Sequence, residues 1–250
     1  MALQEEMEQQ GLFLFKYRGI LPLVGVMVAL GVYIYEKSQH VDQDLFVGAT
    51  AYERICLIVS LSGLLFRIFV IGHAHRKTSG RNTKEQVADN VNTSGIYSIM
   101  RHPLYTGNLI MWIGIALLTR NFWFIMAFMA AYVVYYERIM FAEEQFLRKK
   151  FGQKYLDWAA HTPAFFPQFR NWRKPELNFS FRKVLRQEKN GLLAVFVLVF
   201  LFQQTADYIV TSSFQIKDWV VATGFIGSTL YYLVIKTLQK TTPIMTKGGR

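Results

Sequence analysis

Residues 103–137 read PLYTGNLIMWIGIALLTRNFWFIMAFMAAYVVYYE, two apolar runs separated only by Arg120 and Asn121. A helix of roughly 20 mostly apolar residues crosses the bilayer core, which is about 30 Å thick, so each run approaches the length of one membrane span. Because so few residues separate the runs, the stretch predicts a tight helical hairpin. The second helix is predicted to continue beyond its apolar run to about Lys150.

Other apolar runs of similar length flank this hairpin. The predicted spans lie at approximately 19–36, 55–72, 103–119, 121–137, 191–210 and 218–235. The whole chain is 52% hydrophobic and 16% aromatic, which is too apolar for a soluble domain that must cover itself with polar side chains. The sequence therefore predicts an all-α fold, a polytopic transmembrane helix bundle of about six spans.

The chain is basic, with 28 Lys and Arg against 17 Asp and Glu. Such a balance can indicate nucleic acid, anionic lipid or loops held on the cytosolic side of a membrane. Lys and Arg concentrate in the two termini, the loop 73–101 and the segment 137–190, and they are sparse in the three opposing loops. The positive-inside rule then predicts both termini in the cytosol and explains the charge without nucleic acid.

Composition divides the chain into four parts. They are the N-terminal tail and first span at 1–54, a membrane core at 55–168, a basic amphipathic connector at 169–190, and two further spans with a tail at 191–250. The connector and its edge carry basic and aromatic residues, namely Arg170, Arg173, Lys174, Arg182, Lys183, Arg186, Lys189, Trp172, Phe179 and Phe181. This mixture predicts a stretch lying on an anionic leaflet, and an ordinary basic juxtamembrane loop is the alternative.

The start of the third span is the first candidate for chemistry. Arg101 and His102 precede Pro103, and proline suits the first turn of a helix, where exposed backbone donors favour an anion. Tyr105 and Gly107 follow, and the glycine lets a planar ligand or another helix approach the backbone. The alternative is structural, with Arg101 and His102 as interfacial anchors and Gly107 as a helix-packing notch.

Two adjacent carboxylates, Glu143 and Glu144, are the second candidate. Neighbouring residues on a helix point about 100° apart, so at most one of them can face a given pocket. A solvated helix face is the default interpretation of such a pair. The short hairpin, however, places the cytosolic ends of its helices side by side, so the pair and His102 could line one site. Arg67 should face the bundle or snorkel to a position close by.

Metal chemistry has little support in the sequence. Cys56 is the single cysteine and has apolar neighbours, which indicates a buried thiol. His73 and His75 are two residues apart, so they do not share a helix face, and no third ligand follows at metal spacing. No metal site is predicted.

An ordered set of motifs runs from the second span to the connector. It comprises Gly95-Ile96-Tyr97, Arg101-His102-Pro103-Leu104-Tyr105-Thr106-Gly107, Glu143-Glu144, Phe151-Gly152, Tyr155 and Thr162-Pro163-Ala164-Phe165-Phe166-Pro167. Over roughly residues 55–168 this set resembles the isoprenylcysteine carboxyl methyltransferase and phospholipid methyltransferase superfamily. The resemblance implies an S-adenosylmethionine-dependent enzyme embedded in the membrane. Its cofactor would enter from the cytosol, and its lipophilic acceptor would be a lipid phosphate, a lipid amine or a prenylated carboxylate.

The resemblance also implies roles for individual residues. The cofactor pocket would comprise Gly95, Tyr97, Arg101, His102, Pro103, Tyr105, Gly107 and Glu144. The catalytic residues would be Glu143, Glu144 and Arg138, although the spacing of Arg138 differs from the family pattern by about one residue. The two C-terminal spans are not required by the family core, so their role stays open between packing, oligomer contact and shaping the acceptor entrance.

Two other classes remain as alternatives. Membrane sterol reductases carry a similar Arg-His-Pro-x-Tyr-x-Gly stretch and use a nicotinamide cofactor. A non-catalytic membrane protein could use the same residues as a structural or binding element. The loop 73–101 is long and polar, which is typical of a lid over a cofactor.

Overall fold

The structure is a computed structural model that describes residues 2–39, 49–75 and 86–242. These residues form eight α-helices and no strand, which confirms the predicted all-α class. The helices are α1 Leu3–Tyr17, α2 Leu21–Gln39, α3 Ala49–His73, α4 Pro103–Leu117, α5 Phe122–Phe151, α6 Gln153–His161, α7 Phe181–Thr211 and α8 Trp219–Thr241. Part of the predicted lid, residues 76–85, and the C-terminal tail from residue 243 lie outside the described residues.

All six predicted spans coincide with helices. Five of these, α2, α3, α5, α7 and α8, are long and apolar enough to cross a membrane, so the chain is an integral membrane protein. The sixth, α4, has only 15 residues. It rises about 22 Å against a hydrocarbon core of about 30 Å, and it packs on α3, α5 and α7 inside the bundle.

The predicted hairpin joins α4 to α5. Arg120 adopts a positive φ of 55°, and the side chain of Asn121 caps α5 by accepting a hydrogen bond from the Phe124 N–H at 2.7 Å. Helix α5 then runs for 30 residues and ends at Phe151, and the next residue, Gly152, also has a positive φ. As predicted, it carries Glu143 and Glu144 beyond the apolar run.

Small residues let α3 and α4 approach closely. A Cβ on Gly107 would lie 2.5 Å from Arg67 Cγ, and one on Gly63 would lie 2.6 Å from the Gly107 carbonyl oxygen. Further along α4, a Cβ on Gly114 would overlap Ser60. Of the two interpretations of Gly107 left open by the sequence, this geometry favours the approach of another helix.

Helix α1 was not predicted from the sequence. It lies along the extension of α5 beyond its apolar run, where Gly11 packs against the main chain of Arg138 and Glu8 accepts a hydrogen bond from Lys149 at 2.6 Å. The turn after α1 places Arg18 beside Glu143. Residues assigned to an N-terminal tail therefore reach the candidate site.

Helix α7 begins at Phe181, so the second half of the basic connector is continuous with the helix of the next predicted span. Lys183 is buried and donates from Nζ to two main-chain carbonyls after the end of α3, at 2.7 and 2.9 Å. Lys189 is also buried and donates to Gln239 Oε1 at 2.7 Å. Both ammonium groups therefore bind atoms of the protein, and the contact of the connector as a whole with an anionic leaflet stays a prediction.

The close packing of α3 on α4 is tested by two matched substitutions. Gly114→Ala should lower the free energy of unfolding by about 1–3 kcal/mol, because the added methyl group overlaps Ser60. Gly31→Ala should leave stability unchanged or raise it, because no atom lies within 4 Å and alanine favours helix by about 1 kcal/mol. Thermal denaturation in detergent measures both, and equal midpoints would contradict the packing argument.

Candidate functional site

A cavity of about 630 Å³ lies where α4 begins and where α3, α5 and α7 meet the loop before α4. Its walls are mainly polar and aromatic. They include Arg18, Arg67, Asn92, Tyr97, Arg101, His102, Pro103, Tyr105, Asn108, Tyr136, Glu143, Trp158, Gln187, Glu188 and Asn190. The volume falls within the range of about 300–1,000 Å³ that is typical of small-molecule sites.

Main-chain hydrogen bonds hold Arg101 and His102 in place. The Arg101 N–H donates to the Pro163 carbonyl at 2.9 Å, and the His102 N–H donates to the Ala164 carbonyl at 3.1 Å. The chain before α4 is therefore paired with the chain after α6. This pairing fixes the two backbone positions before their side chains make any contact.

Gly95 and Tyr97 begin the same segment. Gly95 has φ 60° and ψ −135°, a combination that favours glycine, and its N–H donates to the Arg173 carbonyl at 3.0 Å. It shapes the turn and does not line the cavity, whereas the side chain of Tyr97 does. Burial, with a contribution from nearby Glu143, raises the pKa of the Tyr97 hydroxyl, so it stays protonated as a hydrogen-bond donor.

Glu144 ties α5 to the start of α4. Its Oε1 accepts from Arg101 Nε at 2.9 Å and lies 2.8 Å from His102 Nε2. Arg101 Nη1 also donates to the carbonyls of Ala159 at 2.8 Å and Thr162 at 3.1 Å. Glu144 is not in the cavity wall, so it orients Arg101 and His102 from behind them.

Glu143 points into the cavity. It accepts a hydrogen bond from the Tyr105 hydroxyl at 2.7 Å, and its carboxylate lies 3.8 Å from His102 Nδ1 and 3.9 Å from Arg18 Nη1. The two adjacent carboxylates thus face different surroundings, as the angular separation of neighbouring helix residues requires. Glu143 is available to a bound molecule, and Glu144 is already engaged.

Three tyrosines form the floor beneath these groups. The Tyr132 hydroxyl donates to the Tyr105 carbonyl at 2.7 Å. The ring centroid of Tyr136 lies 4.6 Å from that of Tyr105 and 4.3 Å from that of Tyr132. Packed rings of this kind exclude water from one side of the cavity while presenting hydroxyl groups.

An ion pair between Arg67 and Glu188 forms the opposite wall. The contact is bidentate, at 2.6 and 3.1 Å, and Arg67 also donates to Asn108. Glu188 belongs to α7, which lies outside the predicted methyltransferase-like core at 55–168. The signal that could have found it was Arg67 itself, because a guanidinium within a span needs an acidic or polar partner.

Several predicted site residues lie outside the cavity wall. Gly95, Gly107 and Glu144 act from behind it, through the backbone, helix packing and hydrogen bonding respectively. Arg138 is also outside the wall, with Nη1 3.9 Å from Glu137, and its catalytic role stays a prediction.

Other cavity residues were missed by the sequence analysis, among them Arg18 and Trp158. Trp158 Nε1 is buried without a hydrogen-bond partner among the described residues. The hydroxyl of Tyr155, one turn earlier on α6, is buried near Glu144, and this burial together with the Glu144 carboxylate raises its pKa. Within residues 2–39, 49–75 and 86–242, no group of three or more His, Cys, Asp or Glu side chains could hold a metal ion.

Fold and site together define an α-helical integral membrane protein with a polar, small-molecule-sized cavity at one end of its bundle. Residues 56–154 match the model of the phospholipid methyltransferase family. This segment is therefore similar to the superfamily of isoprenylcysteine and phospholipid methyltransferases. No solved structure gives a significant match.

Three curated relatives align with part of the chain. Cobalt-zinc-cadmium resistance protein CzcN of Cupriavidus metallidurans is 35% identical over 32% of this chain and 37% of its own length. Nickel-cobalt-cadmium resistance protein NccN of Alcaligenes xylosoxydans xylosoxydans is 33% identical over 38% of this chain and 42% of its own. Protein-S-isoprenylcysteine O-methyltransferase B of Arabidopsis thaliana is 37% identical over 30% of this chain and 38% of its own length. The chain thus spans less than half the length of each relative.

The ion pair in the cavity wall predicts a double-mutant effect. Glu188→Leu should lower the free energy of unfolding by about 3–5 kcal/mol, because it leaves the Arg67 guanidinium buried without its carboxylate. The double variant Arg67→Leu/Glu188→Leu should recover part of that loss. Thermal denaturation in detergent gives both values, and strictly additive losses would show that the two charges do not depend on each other.

Proposed function

We propose that the protein is an S-adenosylmethionine-dependent membrane methyltransferase acting on a lipophilic acceptor. The observation that carries the proposal is the cavity in which Tyr97, Arg101, His102, Tyr105 and Glu143 meet. The superfamily match of residues 56–154 supports methyl transfer as the class of reaction.

The residues present fit this cofactor. S-adenosylmethionine supplies a methyl group on a positively charged sulfur, and it carries an adenine, ribose hydroxyls, an ammonium and a carboxylate. Tyr97, Tyr105 and Trp158 offer rings for the adenine, and the buried Trp158 Nε1 lacks a partner that a ligand could provide. Glu143 can accept hydrogen bonds from the ammonium or the ribose, and Arg18 can bind the carboxylate.

An apolar groove supports the lipophilic acceptor. It has a volume of about 280 Å³ and lies between α2, α4 and α5, where Val26, Trp112, Phe128 and other apolar side chains line it. Tyr136 belongs both to this groove and to the polar cavity. A hydrocarbon chain in the groove would therefore place its polar end next to the cavity. A prenylated carboxylate, a lipid phosphate and a lipid amine all meet this requirement.

The side chains of the cavity suit an in-line displacement. An acceptor that is already an anion needs alignment and removal of water, which the packed Tyr105, Tyr132 and Tyr136 supply on one side. An amine acceptor must also lose a proton. Glu143 is the carboxylate that faces the cavity and could take it, while Glu144 remains bound to Arg101 and His102.

Methyl transfer is the direct test of this proposal. Purified protein in detergent, mixed with radiolabelled S-adenosylmethionine and fractionated membrane lipid, should transfer label to at least one lipid fraction or to a prenylcysteine. Absence of transfer from folded protein to every acceptor would refute the enzyme. Stabilisation by a nicotinamide cofactor but not by S-adenosylmethionine would instead favour a reductase.

Cofactor binding tests the assigned residues separately from the acceptor. By calorimetry, His102→Ala and Glu143→Gln should each weaken S-adenosylmethionine binding at least about tenfold, the loss of roughly one charge-assisted hydrogen bond. Lys149→Gln is the matched control, because it removes an exposed ion pair with Glu8 outside the cavity. Unchanged binding in both site variants would remove the residue assignment while leaving the reaction class open to the transfer assay.

A further inference from the structure

A second polar cleft lies on the other side of Trp158 from the cavity. It has a volume of about 620 Å³ and is formed by α6, the segment before α4 and the segment that follows α6. Its lining is Thr93, Ser98, Lys154, Asp157, Trp158, His161, Thr162, Arg170, Asn171, Trp172 and Arg173. Of these only Trp158 also lines the first cavity, so the two are neighbours that share one side chain.

The cleft carries an excess of positive charge. Across the described ranges, the side chains of Lys154, Arg170 and Arg173 form no ion pair and no hydrogen bond. The one carboxylate in the lining, Asp157, accepts a hydrogen bond from Gln153 at 2.7 Å. Three cations around one concave surface favour an anion with several oxygen acceptors, such as a phosphoryl group.

Exposed aromatic side chains accompany this charge. Phe166 is 81% exposed, Phe169 is 73% exposed and Trp172, which lines the cleft, is 55% exposed. Large aromatic side chains beside Lys and Arg are typical of the membrane–water interface, where the rings lie at the level of the headgroups. A soluble phosphate compound would make no use of these rings, whereas a lipid places its acyl chains beside them.

We propose that this cleft binds the headgroup of an anionic phospholipid. Arg170, Arg173 and Lys154 contact the phosphoryl oxygens, and Trp172 with Phe169 contacts the glycerol and upper acyl region. The site goes beyond the methyl-transfer reaction and does not depend on it. It also locates on particular side chains the leaflet contact that the connector's composition predicted in general terms.

The cleft is built on the frame that positions Arg101 and His102. The Arg173 carbonyl accepts a hydrogen bond from the Gly95 N–H at 3.0 Å, and the Arg173 N–H donates a hydrogen bond to Ser98 Oγ at 2.9 Å. Because these contacts use the main chain of Arg173, its side chain is free to bind a ligand. A glutamine at this position can keep the frame while removing the charge.

Calorimetry with a short-chain phosphatidylglycerol, added below its micellar concentration to protein in an uncharged detergent, tests the site. The wild-type protein should bind it saturably. Arg170→Gln/Arg173→Gln should weaken binding at least about tenfold, because two charge-assisted contacts are lost. Lys149→Gln/Lys150→Gln is the matched control, since it removes the same charge from the end of α5 outside the cleft and should bind as wild type.

Two further ligands identify what the cleft recognises. Short-chain phosphatidylcholine, which has no net charge, and inorganic phosphate should both bind at least about tenfold more weakly than phosphatidylglycerol. Equal binding of phosphatidylcholine would overturn the role of charge, and equal binding of phosphate would overturn the lipid as the source. If the double variant elutes as aggregate, Lys154→Gln replaces it. Full binding by a folded cleft variant, or equal loss in the control, would overturn the proposal.

Discussion

The contact on which the site depends is the carboxylate of Glu144 between the side chains of Arg101 and His102. It joins the extension of α5 beyond its apolar run to the start of α4. A long helix extension and an irregular loop keep a fixed position relative to each other only where polar contacts hold them together. This charged contact and the main-chain hydrogen bonds to Pro163 and Ala164 hold the two segments in place.

Fixing one carboxylate leaves its neighbour available. Since Glu144 is directed to Arg101 and His102, the helix geometry turns Glu143 toward the cavity, where Tyr105 donates to it. Two chemically identical side chains thus acquire separate tasks through position alone. The same arrangement keeps three tyrosine rings beneath the cavity, so the polar site borders an apolar groove at Tyr136.

Segments outside the family match complete this site. Helix α1 places Arg18 beside Glu143, and α7 supplies Glu188 as the partner of Arg67. Neither residue lies within the matched residues 56–154. The matched segment therefore contains His102 and the glutamates beside it. Two other parts of the cavity wall, at Arg18 and at Glu188, come from outside this segment. Under the proposed function, these walls are where a preference among lipophilic acceptors would be set.

The sequence by itself determined the positions of the spans. The length of an apolar run must match the thickness of the bilayer core, and this requirement does not depend on which other helices the run packs against. The sequence also determined the hairpin and the extension of α5. Both follow from local features, namely a break of two residues between the apolar runs and an uninterrupted run of residues that favour helix. The placement of Arg101 and His102 near the glutamate pair followed from the short connection between α4 and α5.

Only the tertiary structure decided what lies far apart in sequence. Helix α1 has only 15 residues and its first half is mostly polar, so it is too short to be predicted as a span, and only its packing on α5 showed its place in the bundle. The burial of Lys183 could not be read from composition, because a basic residue on an amphipathic stretch looks the same whether it meets carbonyls or lipid. The partner of Arg67 was likewise undetermined, since hydropathy gives the depth of a charge and not the helix that faces it.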